Sequence, residues 1–225
     1  MSSGVLSPKM LDSRVETFDL GQDKLVNILV PPGSRGKKIK SRKNVNREVT
    51  LPSSFALARL IAHCPSLVED RNVMELSCGL GLVSAAACKH ARPNHVALTD
   101  LNAEVLRKAY MSCTQLQQSK SSVSRCTMDW NDRSTWPNQN YDVLLASDVL
   151  ADKGNILPLV NVLQFYLSSK GQDDKVKRAL IVDPETRNNR DGFYYAVCKA
   201  GLEADPVPFP GMEGLVLISI TPRGF

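Results

Sequence analysis

The sequence predicts an α/β domain: a seven-stranded, mostly parallel sheet with helices on both faces, an N-terminal β-hairpin extension and a C-terminal antiparallel strand pair. Three observations carry that expectation. From Val73 onward, short apolar runs alternate with stretches of helical spacing, the pattern of βαβ units whose strands are buried on both faces. The run VMELSCGLGLVSAAA, Val73 to Ala87, passes from strand residues through two glycines into small helix formers. Near the end, LEADPVPFP and LVLISI are separated only by a short glycine-containing loop, which reads as two adjacent antiparallel strands.

Taken in order, VETFDL (Val15 to Leu20) and KLVNILVP (Lys24 to Pro31) flank GQD and read as a hairpin. Pro52-Ser53-Ser54 opens a helix over FALARLIAHC, with Ser53 or Ser54 expected as its cap and Pro65 as its end. Strands follow at VMELS, HVALTD (95–100), VSRCTM (123–128), YDVLLAS (141–147) and RALIVD (178–183). Helices are expected at 82–89, 103–117, 155–168 and 190–200. Five parallel strands and the terminal pair make seven, and right-handed crossovers leave few topologies.

Composition narrows the class. A chain of 225 residues, 43% apolar, builds one sizeable core, so one domain with an N-terminal elaboration is expected. No apolar run approaches the roughly 20 residues that span a bilayer, and the first residues lack a leader's apolar core. The expectation is a soluble intracellular protein with no membrane partner, cytoplasmic or nuclear. The six cysteines never form a CxxC pair and read as reduced, mostly buried thiols. His63, His90 and His95 are dispersed and make no metal constellation. Of the net charge of +5, the stretch RGKKIKSRKNVNR (35–47) supplies +7, leaving −2 on the rest. That basic arm suits nucleic acid, an acidic protein or a nuclear address, and equally a solvated loop. It carries no aromatic residue to stack a base, so support for a nucleic-acid partner is weak.

The chemistry concentrates at the carboxyl ends of the strands, where open α/β sheets bind ligands. Gly79 and Gly81 let backbone approach a ligand and leave the following helix N-terminus available. Asp100 closes the next strand 19 positions after Gly81, near the spacing at which an acid meets ribose hydroxyls. Counted from Gly79, the dinucleotide GxGxxG would have its third glycine at Ser84, and Ser77 stands where many such loops carry their first; Glu75 would also repel a pyrophosphate. A phosphate-free, cationic nucleoside fits better than NAD, and S-adenosylmethionine is one. Ser77 is tolerable in such a turn if its torsions stay negative. Asp129 and Trp130 end the third strand and supply an acceptor and a flat apolar face for adenine. Ala146, Ser147 and Asp148 end the fourth, placing a carboxylate beside the expected donor, where it orients an incoming amine. Asp183 is a further candidate on the same rim, and Asn188, Asn189 and Arg190 read as a substrate mouth or a plain polar loop.

These motifs resemble the seven-β-strand, class I S-adenosylmethionine-dependent methyltransferases, a Rossmann-like fold, and within them methyltransferase family 16, the lysine methyltransferase-like group. The carriers are MELSCGLGLVSAAA, VALTDLN, MDW and YDVLLASDVL, and the likeness spans about Leu51 to Ile220. It implies a methyltransferase domain over 51–225, preceded by a tail, hairpin and basic arm over 1–50. It also implies S-adenosylmethionine as cofactor and a protein, most of all a lysine, as substrate. Glu75, Ser77, Gly79, Gly81, Asp100, Leu101, Asp129, Trp130, Ala146 and Ser147 would form the donor site by that resemblance, and Asp148 the catalytic one.

Two departures from the family pattern stand out. Asp148-Val149-Leu150-Ala151 lacks the aromatic that often follows the acid, and with it a cation–π contact worth roughly 0.5–2 kcal/mol to a methylated ammonium. Leu51 stands where a Trp is common before the first helix. They keep rival readings open: a non-catalytic interaction module on the same fold, or a small-molecule or RNA methyltransferase. An NAD-linked oxidoreductase is a third rival, although no hydride-transfer partner residue is evident.

Overall fold

The computed structural model describes residues 13–31, 52–117, 119–168 and 176–224. The basic arm and Leu51 lie outside the described residues.

A hairpin of β1 (Arg14–Asp19) and β2 (Leu25–Val30) comes first, followed by α1 (Pro52–His63). Strands and helices then alternate: β3 (Asn72–Leu76), α2 (Leu82–His90), β4 (His95–Asp100), α3 (Ala103–Met111), β5 (Ser122–Thr127), β6 (Val143–Ser147), α4 (Ile156–Leu167), β7 (Arg178–Pro184) and α5 (Arg190–Lys199). The chain finishes with β8 (Leu202–Pro208) and β9 (Leu215–Pro222). The seven strands of the main sheet lie in the order β5-β4-β3-β6-β7-β9-β8. Strands β3 to β7 pair in parallel, and β9 runs antiparallel between β7 and β8. The order reverses at β3, whose neighbours are β4 and β6, so the crevice of this fold opens beyond the end of β3.

Two cores cover the two faces. Residues alternate along each strand: Val73, Val143 and Leu145 join the core beneath α1, α2 and the hairpin, while Met74, Leu76, Leu144 and Ala146 join the core beneath α4 and α5. The hairpin's Phe18, Leu20, Val26, Ile28 and Val30 belong to the first of these cores, each at most 1% exposed. Among the described residues no helix is long and apolar enough to cross a membrane.

Several expectations change in detail. Ser53 and Ser54 do not cap α1, because the helix begins at Pro52, whose fixed φ suits a first helical position. Ser53 is instead buried without a hydrogen-bond partner, and Ser54 Oγ lies 2.8 Å from Ser147 Oγ. The helix expected over 103–117 gives way to a π-helical turn at Ser112–Leu116. Ser112 Oγ donates to Lys108 O while accepting from Leu29 N, so the widened turn is where the hairpin docks. Of the six free cysteines, Cys78, Cys88 and Cys113 are buried, Cys126 is half-buried, and Cys64 and Cys198 are exposed. Burial therefore holds for half of the thiols.

Candidate active site

The turn after β3 is built from left-handed backbone. Ser77, Gly79 and Gly81 have φ of +54°, +52° and +76°. The sequence-based condition on Ser77, negative torsions, is overturned: the chain reverses too tightly here, and serine bears a conformation that costs about 1–2 kcal/mol outside glycine. At Gly81 a Cβ would stand 2.7 Å from Ala109 Cβ of α3, so the absence of a side chain is what lets the turn before α2 lie against α3. Gly81 offers no side-chain cap to α2. Glu75 supplies one from inside β3, its Oε2 accepting from Ser84 N at 3.0 Å and also from Ser84 Oγ.

Glu75 is 2% exposed and lies beneath the crevice rather than in its lining. Burial pushes its carboxyl up to about 7, against the lowering effect of the two Ser84 hydrogen bonds, and the neighbouring Asp100 adds to the rise. Asp100 acts on the loop itself. Its Oδ2 accepts from Gly79 N at 3.0 Å and its Oδ1 from Asn102 N at 2.9 Å, tying the glycine turn to the end of β4. Each carboxylate oxygen keeps a further lone pair for a ligand hydroxyl.

Ser77, Asp100, Leu101, Asp129 and Trp130 meet around one cavity of about 200 Å³, together with Met128, Asn131 and Asn155. Among the described residues lining it, none is Lys or Arg, so phosphates would find no counter-charge there. Two carboxylates, apolar Leu101 and Met128, and the indole of Trp130 match a ribose and a purine. Asp129 is held by its own loop, since its Oδ1 accepts from Asn131 N and Nδ2 and its carbonyl from Trp136 Nε1. Met128 belongs to the MDW run that the sequence singled out, whereas Asn131 and Asn155 escaped sequence reasoning. Asn131 follows that run directly, and Asn155 arrives from the loop before α4, which no local pattern links to β5.

The end of β6 is arranged differently from the expectation. Ala146 is buried in the α4–α5 core, and Ser147 meets Ser54 of α1. Asp148, at φ +58°, accepts through Oδ1 from Arg187 NH2, so its carboxylate is already partnered. Arg187 Nε also donates to Asp183 Oδ1 at 3.2 Å, and Asp183 Oδ2 accepts from Leu150 N at 3.1 Å. The carboxyl of Asp183, wholly buried, has its pKa raised by burial first, with Asp148 adding to the effect. Asn189 Nδ2 donates to the carbonyls of Leu150 and Ala151, and Arg190 donates to Glu185 O. Asn189 thus braces the loop after β6, whereas Asn188 and Arg190 line a second cavity together with Arg187 and Tyr194. Arg187 was missed, although a base four residues after a strand-end acid was a signal that could have found it.

Among the described residues, no cluster of three or more His, Cys, Asp or Glu could hold a metal ion. Comparison with known proteins gives a consistent picture. A family model described as "Lysine methyltransferase" matches residues 51–198. Among curated proteins, "Protein-lysine N-methyltransferase EEF2KMT" of Bos taurus is 29% identical over 187 residues, covering 71% of this chain and 54% of that protein. Its Mus musculus counterpart is 28% identical over 128 residues, 52% of this chain and 38% of its own. The chain thus spans about half the length of the curated relatives it matches, or less. Among solved structures, Aeropyrum pernix fibrillarin, crystallised with natively bound S-adenosyl-L-methionine, superposes with a TM-score of 0.53 at 14% identity, over 69% of this chain and 67% of that one. That likeness concerns the fold.

Proposed function

The chain belongs to the lysine methyltransferase family, and on that premise we propose that it is a protein-lysine N-methyltransferase using S-adenosylmethionine. The observation that carries this reading is the cavity at the switch point, with carboxylates from β4 and the loop after β5, an indole wall and, among the described residues lining it, no Lys or Arg. When bound there, S-adenosylmethionine supplies a methyl group on a sulfonium, open to in-line displacement by a nitrogen.

The chain's own residues hold and orient. Asp100 accepts from ribose hydroxyls, and Asp129 from the adenine amine. Leu101, Met128 and Trp130 flank the base, while the Ser77–Gly81 turn brings backbone against the remainder of the donor. Asp148 accepts an N–H of the incoming amine, and it or a neighbouring water takes the proton that the nitrogen must lose.

Two substitutions test the assignment. Asp148→Ala is expected to bind S-adenosylmethionine normally in calorimetric titration while methyl transfer into lysate protein falls by about a hundredfold or more. Asp100→Ala is expected to lose donor affinity first, by roughly ten- to a hundredfold, as removal of charge-assisted hydrogen bonds implies. Equal activity of Asp148→Ala and the wild type would remove Asp148 from the mechanism. The ion pair between Arg187 and Asp148 favours one competing reading, an interaction module that has kept the fold without the reaction. Absence of binding heat at millimolar S-adenosylmethionine would establish that module instead. Labelled methyl transfer resolved into protein, RNA and small-molecule fractions separates the protein reading from an RNA or small-molecule one.

A further inference from the structure

The aromatic that often follows the strand-end acid in this family is missing, and the structure shows a charge cluster in its neighbourhood. Arg187 bridges Asp148 Oδ1 and Asp183 Oδ1. Asp183 is fixed at the far end: its side chain is 0% exposed, and its other oxygen is held by Leu150 N. Arg187 and Asp148 are less enclosed, with side chains 29% and 14% exposed. Among the described residues, no hydrogen bond reaches Asp148 Oδ2.

Two consequences follow from elementary electrostatics. Two carboxylates and one guanidinium leave the cluster one positive charge short of balance, and a single ammonium at Asp148 would complete it. A guanidinium substrate is recognised best by two parallel bonds to both carboxylate oxygens, and at Asp148 it would have to share Oδ1 with the like charge of Arg187. An ammonium is a compact point charge that needs only one acceptor.

The geometry points to Arg187 as a positioning and specificity-determining residue. It anchors Asp148 to the buried Asp183 and leaves Oδ2 as the carboxylate oxygen with no hydrogen bond among the described residues, so that the site takes a primary ammonium, a lysine side chain, over a guanidinium. The inference rests on the reading above, in which Asp148 faces the substrate amine.

The test uses the full chain, tritiated S-adenosylmethionine and protein lysate, with methyl-lysine and methyl-arginine separated after acid hydrolysis. Donor affinity is followed by calorimetry and folding by thermal melts. Wild type is expected to label lysine alone. Arg187→Gln is expected to bind the donor within about twofold of wild type, to need about tenfold more lysate for half-maximal rate, and to place a measurable share of label on arginine. Arg187→Lys, which restores charge without the bridging fork, is expected to recover the rate only in part and the selectivity less. Should Arg187→Gln and Arg187→Lys, both folded, show the wild-type half-saturation and label ratio, Arg187 has no such role. A rate loss in step with the folded fraction alone, at unchanged label ratio, has the same meaning. A wild-type protein that binds donor yet labels neither residue overturns the functional reading itself, and the role of Arg187 with it.

Discussion

At the scale of single residues, Glu75 shows how one side chain serves the fold while sitting beneath a ligand crevice. Its carboxyl titrates near 7 in the folded protein, against 4.5 for an ordinary glutamate. Between those values the folded state keeps a proton that the unfolded chain has released. Stability therefore falls as pH rises from about 4.5 to about 7 and levels off above. Glu75→Gln removes that slope. Denaturant midpoints of the two proteins at pH 5 and pH 8 are expected to diverge in favour of the variant at pH 8, by up to about 3 kcal/mol. The variant shares every other titrating group with the wild type, so the difference isolates Glu75. Identical pH profiles would show that Glu75 is not buried in this way.

Between elements, one close contact is the approach of the glycine turn before α2 to α3 at Gly81. A methyl group there meets Ala109 Cβ at 2.7 Å and Cα at 3.2 Å, on backbone at φ +76°. Gly81→Ala is expected to destabilise by roughly 2–4 kcal/mol, combining left-handed strain with overpacking. Adding Ala109→Gly should recover the packing part and leave the strain. A double-mutant cycle by chemical denaturation checks this, with a coupling of at least about 0.5 kcal/mol expected. Strict additivity would mean that the turn and α3 do not meet there. The π-helical turn after α3 is a second junction of this kind, since Gln117 Nε2 donates to Asn27 O of the hairpin from its end.

For the molecule as a whole, the hairpin belongs to the same hydrophobic core as α1, α2 and one face of the sheet. Phe18, 1% exposed, is its largest buried side chain. Phe18→Ala is expected to cost about 3–5 kcal/mol and to shift one cooperative transition. That transition can be followed by the fluorescence of Trp130 and Trp136, which pack against the opposite core. A tryptophan transition unmoved by the substitution would make the hairpin an independent unit. The cooperative picture also bears on the site. The crevice opens where β3 parts β4 from β6, and both cores hold that junction in place.

Much was legible in the residues alone. Alternation of apolar runs and helical spacing marked β3 to β7, because burial on both faces imposes the alternating pattern on the strands of a parallel sheet, and turn signals marked the hairpin and the terminal pair. Of the five α-helices of the described residues, only the one expected over 103–117 ends well short, at Met111. The glycine turn, Asp100 and the pair Asp129-Trp130 were equally visible, since each sits at a strand end and topology alone sends strand ends to one edge. What required the fold was partnership across distance. That Glu75 turns under the crevice to cap α2, that Ser77 adopts a left-handed conformation, and that Arg187 claims one oxygen of Asp148 all depend on contacts between segments up to 39 residues apart. Periodicity reports which face a residue occupies, whereas hydrogen bonding among buried charges is decided only when several elements have packed and water has been excluded.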